Sequence, residues 1–206
     1  MDKAVADGHK GVALTDHGNM FGAFHFVNEA QKRGLKGMVG CEFYLVADRH
    51  KRSFAKSMGE KDVRNHQLLL AKNQKGYENL SKLCSIGYID GLYGKFPRID
   101  KEVLLEHSEG LIATSCCLAA EVPRAIMAGK IEEAEEKLKW WIEVFGEDYY
   151  VELMRHRGLE TLDGADISQE QVNQQLIKFA KKYNLKVIAT NDAHYVEEED
   201  LSLIHI

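Results

Sequence analysis

Two short apolar runs near opposite ends of the chain both stop at a carboxylate and an imidazole, and no other feature constrains the fold as strongly. Val12-Ala13-Leu14 leads into Thr15-Asp16-His17, and Val187-Ile188-Ala189 leads into Thr190-Asn191-Asp192-Ala193-His194. Each run is too short and too β-branched for a helix, so both read as buried parallel strands. Side chains alternate across a strand, so Asp192 and His194 share a face and can address one ion. Imidazole with carboxylate suits zinc, manganese or iron better than calcium. One Asp-x-His sequence alone is more often a solvated turn. Two such pairs, both at strand ends, favour a metal-dependent hydrolase site.

Between these ends, strand and helix patterns alternate. Phe21 to Ala30 has near-helical spacing and stops at Gly34; Lys36 to Ala47 reads as a strand carrying Glu42; Asp48 to Asn65 reads as loop. Leu68-Leu69-Leu70-Ala71 is a strand, followed by a helix from Gly76 to Tyr88 and an aromatic, Gly-rich loop through Gly91, Tyr93, Gly94 and Phe96 that Pro97 closes. A short helix near Glu102 to Glu106 precedes the strand Gly110 to Ser115, which delivers Cys116 and Cys117. Helices at Val122 to Met127 and Ile131 to Phe145, a strand at Tyr149 to Leu153, a polar loop at Arg157 to Asp166 and a helix at Gln169 to Tyr183 complete the alternation. This order predicts an α/β domain on a parallel sheet, open or closed into a barrel, with its chemistry at the carboxyl ends of the strands.

Charge narrows the function. With 27 Lys and Arg against 32 Asp and Glu in 206 residues, the net charge of -5 has the wrong sign for a stand-alone duplex binder. Any nucleic-acid contact must be local; Arg49, Lys51, Arg52 and Lys56 are candidates, although a solvated loop is the commoner meaning of such a stretch. Cys41, Cys84, Cys116 and Cys117 lack C-x-x-C spacing, no secretory pattern precedes them, and no run approaches the roughly 20 apolar residues of a membrane span. A reduced, cytoplasmic protein without membrane contact is expected.

The string Ala13-Leu14-Thr15-Asp16-His17-Gly18-Asn19-Met20-Phe21-Gly22 resembles the second motif of the polymerase and histidinol phosphatase (PHP) superfamily, in the form carried by alpha subunits of bacterial replicative DNA polymerases. Gly40-Cys41-Glu42-Phe43-Tyr44, His66 to Asn73, Gly76-Tyr77-Glu78-Asn79-Leu80, Pro97-Arg98-Ile99-Asp100, Ser108 through Cys117, and Thr190 to Tyr195 follow in family order. The resemblance runs from about residue 3 to about residue 200. It implies a distorted seven-stranded (β/α) barrel with a metal centre at its mouth, holding up to three divalent ions, zinc or manganese with iron also admissible. The implied ligands are His17, Glu42, His66, Cys117, Asp192 and His194. Cys116 is expected to be a buried structural thiol, Asp16 an orienting neighbour, and His156 and Arg98 ordinary exposed side chains or phosphate contacts. His66 precedes its apolar run and would sit at the wrong end of a parallel strand. Spacing alone leaves it balanced between ligand and satisfied histidine, and the resemblance favours ligand.

The family's opening His-x-His pair and following Asp are absent from this sequence, so the first strand of the barrel is expected to be missing and the site incomplete. Leu201 to Ile206 equals the translation of a transposase mosaic end used in library preparation; residues 201–206 are expected to be a non-native tail, and His205 is not counted as a ligand.

Several functions fit the resemblance. One is a metal-dependent 3'-5' exonuclease that proofreads for its parent, a DNA-directed DNA polymerase. A second is a non-catalytic scaffold that docks a separate proofreading subunit, and a third is a phosphoesterase of the histidinol-phosphate type. The implied partners are DNA, as a 3' end or single strand, and other replicase subunits including a proofreading exonuclease and the sliding clamp. The chain by itself is expected to hydrolyse DNA poorly or not at all.

Overall fold

The computed structural model describes residues 1–155 and 168–196. His156 and the Arg157 to Asp166 loop, like the 201–206 tail, lie outside the described residues. A short helix α1 (Asp2–Ala6) leads into β1 (Gly11–Leu14), α2 (Ala23–Lys32) and β2 (Lys36–Leu45). A long connection, with one 3-10 turn at Lys56–Met58, then delivers β3 (Asn65–Ala71) and α3 (Gln74–Ile89). Next come β4 (Arg98–Ile99), α4 (Lys101–Glu106), β5 (Leu111–Thr114), α5 (Glu121–Met127) and α6 (Ile131–Phe145). Finally β6 (Tyr149–Met154), α7 (Gln169–Tyr183) and β7 (Lys186–Thr190) close the order.

These strands form one sheet in the order β1-β2-β3-β5-β6-β7, with β4 pairing β2 off the main path. The sheet curls into a half-barrel. The rings of His17, just past β1, and His194, just past β7, come within 5.9 Å although they follow the two terminal strands of the sheet.

The expectation of a parallel sheet needs correction. β3 runs antiparallel to both β2 and β5, while β1, β4, β6 and β7 pair in parallel. Parallel neighbours need a crossover, usually a helix. The stretch between β2 and β3 contains only the 3-10 turn, so the chain comes straight back beside β2. β3 also begins at Asn65 rather than Leu68, which places His66 inside the strand opposite Tyr44.

The core lies between the sheet and its helices. Leu80 and Leu83 of α3, Leu138 and Trp141 of α6, and Val172 and Leu176 of α7 are buried against Leu69, Ala113, Tyr149 and Val151. Close approach of α3 to the loop before β5 depends on Gly76, where an added Cβ would stand 1.9 Å from the Gly110 carbonyl oxygen. Trp141 meets its polar requirement by donating Nε1–H to Glu121 Oε1 at 2.7 Å. Helix α7 starts at a capping box, with Ser168 and Gln171 each accepting the other's backbone N–H.

Candidate metal centre

His17 reaches the site through a turn that only glycine fits. Gly18 has φ +68°, and a Cβ there would meet Pro97 Cγ at 2.6 Å. Its N–H donates to the Glu42 carbonyl at 2.9 Å, and the Glu42 N–H donates to the Asp16 carbonyl at 3.0 Å. This bridge extends the β1–β2 pairing past the end of β1 and sets His17 beside Glu42.

Glu42 is the centre of the cluster. Its Oε1 lies 3.2 Å from His17 Nε2 and 2.5 Å from His66 Nδ1, and Cys117 Sγ stands 3.5 Å from that same His66 nitrogen. His17, Glu42 and His66 each offer a donor atom within 4.8 Å of the others, as do Glu42, Cys116 and Cys117. The antiparallel course of β3 explains this convergence: the beginning of that strand lies at the end of the sheet where the parallel strands finish. His66 is therefore at the mouth and not at the far end.

The proton affinities fit a shared site. Burial alone would raise the Glu42 pKa, but the two imidazoles outweigh it and hold the carboxyl down at about 2. Burial would likewise lower His66, and Cys117 and Glu42 reverse that, lifting it to about 9. Hydrogen bonding from Cys116, opposed by burial and helped by His66, brings the Cys117 thiol down to about 5. His17 is raised, chiefly by its hydrogen bond to Glu42. A carboxylate, a ready thiolate and imidazoles form a donor set suited to a divalent transition metal such as zinc.

Asp192 and His194 are farther from this centre. Asp192 takes φ +47°, and His194 Nδ1–H donates to the Asp192 carbonyl at 2.8 Å. His194 faces His17 ring to ring, while neither Asp192 nor His194 belongs to the tight donor groups among the described residues. Asp16 contributes its backbone, and its side chain is exposed. Arg98, weighed as a phosphate contact, is fully buried and spends its guanidinium on Asp62 at 2.9 Å and on the carbonyls of Gly91, Arg49 and Lys51. Arg49 is tied to Asp100 and Glu102.

Sequence reasoning missed Glu152. Buried in β6, its two carboxylate oxygens accept from Thr114 Oγ1 at 2.5 Å and Thr190 Oγ1 at 2.6 Å, joining the carboxyl ends of β5, β6 and β7. Thr114 Oγ1 in turn accepts the Cys116 N–H at 3.0 Å and steadies that residue at φ +58°, next to Cys117. Strain of this kind persists only where neighbours enforce it. The available signal was one carboxylate inside the otherwise apolar run Val151-Glu152-Leu153-Met154.

A family model described as the PHP domain matches residues 1–156. Among curated relatives, DNA polymerase III subunit alpha of Borreliella burgdorferi is 43% identical over 189 residues, covering 92% of this chain and 16% of that protein. The subunit of the same name from Thermus aquaticus is 43% identical over 190 residues, covering 92% of this chain and 15% of its own length. The chain thus spans about one sixth of the relatives it matches. A provisionally assigned metal-dependent phosphoesterase of Bifidobacterium adolescentis shares the fold with a TM-score of 0.51 at 16% identity, over 94% of this chain and 80% of that one.

Proposed function

This chain belongs to the PHP domain family, and from that premise we propose that it is the metal-binding PHP region, residues 1–200, of a cytoplasmic replicative DNA polymerase III alpha subunit, with 3'-5' phosphodiesterase chemistry at the mouth of its half-barrel. The observation that carries this reading is the convergence of two imidazoles on one buried carboxylate oxygen, with a low-pKa thiol beside them. His17, Glu42, His66 and Cys117 would hold divalent ions, with Asp192 and His194 completing the shell from β7. When bound, such ions supply the positive charge that polarises a phosphodiester and makes water nucleophilic at neutral pH.

The residues themselves do the rest. Glu42 fixes both imidazoles in orientation, and Glu152 holds the β5 and β7 ends at a constant separation through its two threonine bonds. Cys117 is already a thiolate at neutral pH, and His66, held protonated beside it, is the group that would give up a proton on metal binding. DNA and the other replicase subunits, among them a proofreading exonuclease and the sliding clamp, are the partners of the whole polymerase under this reading.

A scaffold role has its own support in Phe21 and Phe24, each 82% exposed, with Ile89 at 75%. Such apolar exposure suits a protein contact. The deciding experiment measures zinc and manganese bound by this chain, and 3'-end hydrolysis of an oligonucleotide by the polymerase subunit carrying it. Bound metal, with hydrolysis lost in Glu42→Gln while nucleotide incorporation continues, is expected. Absence of bound metal, or undiminished hydrolysis in the variant, rejects the phosphodiesterase reading and leaves the scaffold.

A further inference from the structure

Beside the metal centre lies a cleft of about 660 Å³ lined by Phe54, Asp62, Arg64, Tyr93 and Phe96, among others. Its size suits a ligand no larger than a nucleotide or two. One wall is a tight hairpin: Tyr93 and Phe96 exchange both backbone hydrogen bonds at 3.1 Å across Gly94 and Lys95, and Gly94 supplies the positive φ of +61°. Directly opposed residues of a hairpin project from the same face. Tyr93 and Phe96 both line the cleft, and Phe54 closes on Tyr93 with ring centroids 5.5 Å apart.

Cations are interleaved with these rings. The Arg64 guanidinium carbon lies 3.5 Å from the Phe96 ring centre, Lys51 lies 5.2 Å from Phe54, and Lys95 lies 5.7 Å from Phe96. The carboxylates in the lining are already engaged, Glu60 with Lys51 and the Ala55 N–H, and Asp62 with the buried Arg98 and, at 3.6 Å, with Arg64. Lys61 adds an exposed positive charge. The cleft is thus locally cationic on a chain whose net charge is -5.

A continuous row of rings joins the cleft to the metal centre. Phe96 meets Tyr44 edge-on at 5.1 Å, and Tyr44 in turn lies 5.6 Å from His66 and 6.1 Å from His17. We propose that this cleft is a subsite for single-stranded DNA, in which an unpaired base stacks on Tyr93, Phe96 and Phe54 while Lys51, Lys61, Arg64 and Lys95 take the adjoining phosphates. Aromatic faces accept any base, and flanking cations follow the backbone, the combination that binds single strands without sequence preference. Duplex ends would have to fray to enter, so the subsite delivers unpaired 3' termini to the neighbouring donors. This inference rests on the phosphodiesterase reading for its purpose, but the binding it describes needs no metal.

The test is made in EDTA, so that hydrolysis plays no part. Fluorescence anisotropy of a labelled oligo-dT would be compared with an abasic oligonucleotide of equal length and with a blunt duplex. Oligo-dT is expected to bind at least about tenfold more tightly than the abasic strand. The Tyr93→Leu/Phe96→Leu variant, which keeps apolar volume and is checked by circular dichroism, should lose that preference. Equal binding of dT and abasic strands by the wild-type chain, absence of binding, or an unchanged preference in the variant would overturn the proposal. Asp192→Asn tests the other reading separately, because it should leave dT binding intact whether or not the polymerase subunit hydrolyses DNA.

Discussion

His66 Nδ1 sits 2.5 Å from Glu42 Oε1, across two antiparallel strands whose register sets His66 opposite Tyr44 rather than opposite Glu42 itself. The imidazole thus reaches two residues along the neighbouring strand to the carboxylate that also serves His17. Among the described residues, Glu42 is shared by both tight donor groups.

Replacing Glu42 by Gln should therefore do more damage than replacing either histidine. Zinc or manganese affinity, followed by isothermal titration, is expected to fall at least about 100-fold, beyond the loss typical of residues that merely orient a ligand. His17→Ala alone should fall less, because Glu42, His66 and Cys117 remain together.

The metal-free chain should show a stability maximum near pH 6.5. Glu42 is held at about 2 against an ordinary 4.5, so its contribution is complete above 4.5 and lost as pH falls through 2. Cys117, depressed to about 5 from 9.0, adds stability that grows as pH rises from 5 to 9. His66, raised from 6.5 to about 9, contributes fully below 6.5 and loses its share on the way up to 9. Above 6.5 the Cys117 and His66 slopes oppose each other, and the raised His17 adds a further loss. Thermal midpoints measured in chelator from pH 4 to 9 should climb and then level or decline. Cys117→Ser should flatten the climb between about 5 and 6.5; a midpoint that keeps rising to pH 9 contradicts this balance.

Glu152→Ala should destabilise the chain by about 2 kcal/mol or more, since the buried Thr114 hydroxyl and the part-buried Thr190 hydroxyl lose their acceptor. Glu152→Gln keeps one oxygen and an amide of similar shape and should cost about half as much. Urea unfolding separates the two; equal losses would mean that the space, and not the hydrogen bonds, matters.

Gly76→Ala brings a methyl group against the Gly110 carbonyl, which cannot move without shifting the entry to β5. A loss of about 3 kcal/mol is expected from such overpacking. Gly34→Ala is the contrast: open space surrounds Gly34, and only its φ of +70° resists the change. The same unfolding experiment should show a smaller loss there, about 1 kcal/mol.

Much of this architecture was legible in the residues. Periodicity located α2, α3, α6 and α7, and the Thr-Asp-His and Asp-Ala-His endings lie just past the carboxyl ends of β1 and β7, although the apolar runs read as buried are partly exposed there, Val187 at 48%. Strand direction was not legible, because hydrophobic pattern is the same for a strand read up or down. Only the missing crossover helix before His66 carried that information. The short β4 also escaped notice, since two residues leave no period to detect. Arg98 looked like a surface cation, and its burial depends on carbonyls from Gly91, Arg49 and Lys51 that only the fold brings together. Glu152 was hidden for the same reason, its partners coming from strands far apart in sequence.

The approach of His17 to His194 has a consequence for how the chain reaches this state. Those two rings are separated by most of the sequence, so their encounter closes a very long loop and is entropically expensive to make early. Helices and neighbouring strands can form first, leaving the clasp between β1 and β7 to engage last. In refolding, recovery of helical circular dichroism should then precede metal uptake, and the ion would act as a timer that registers only chains whose folding has run to completion.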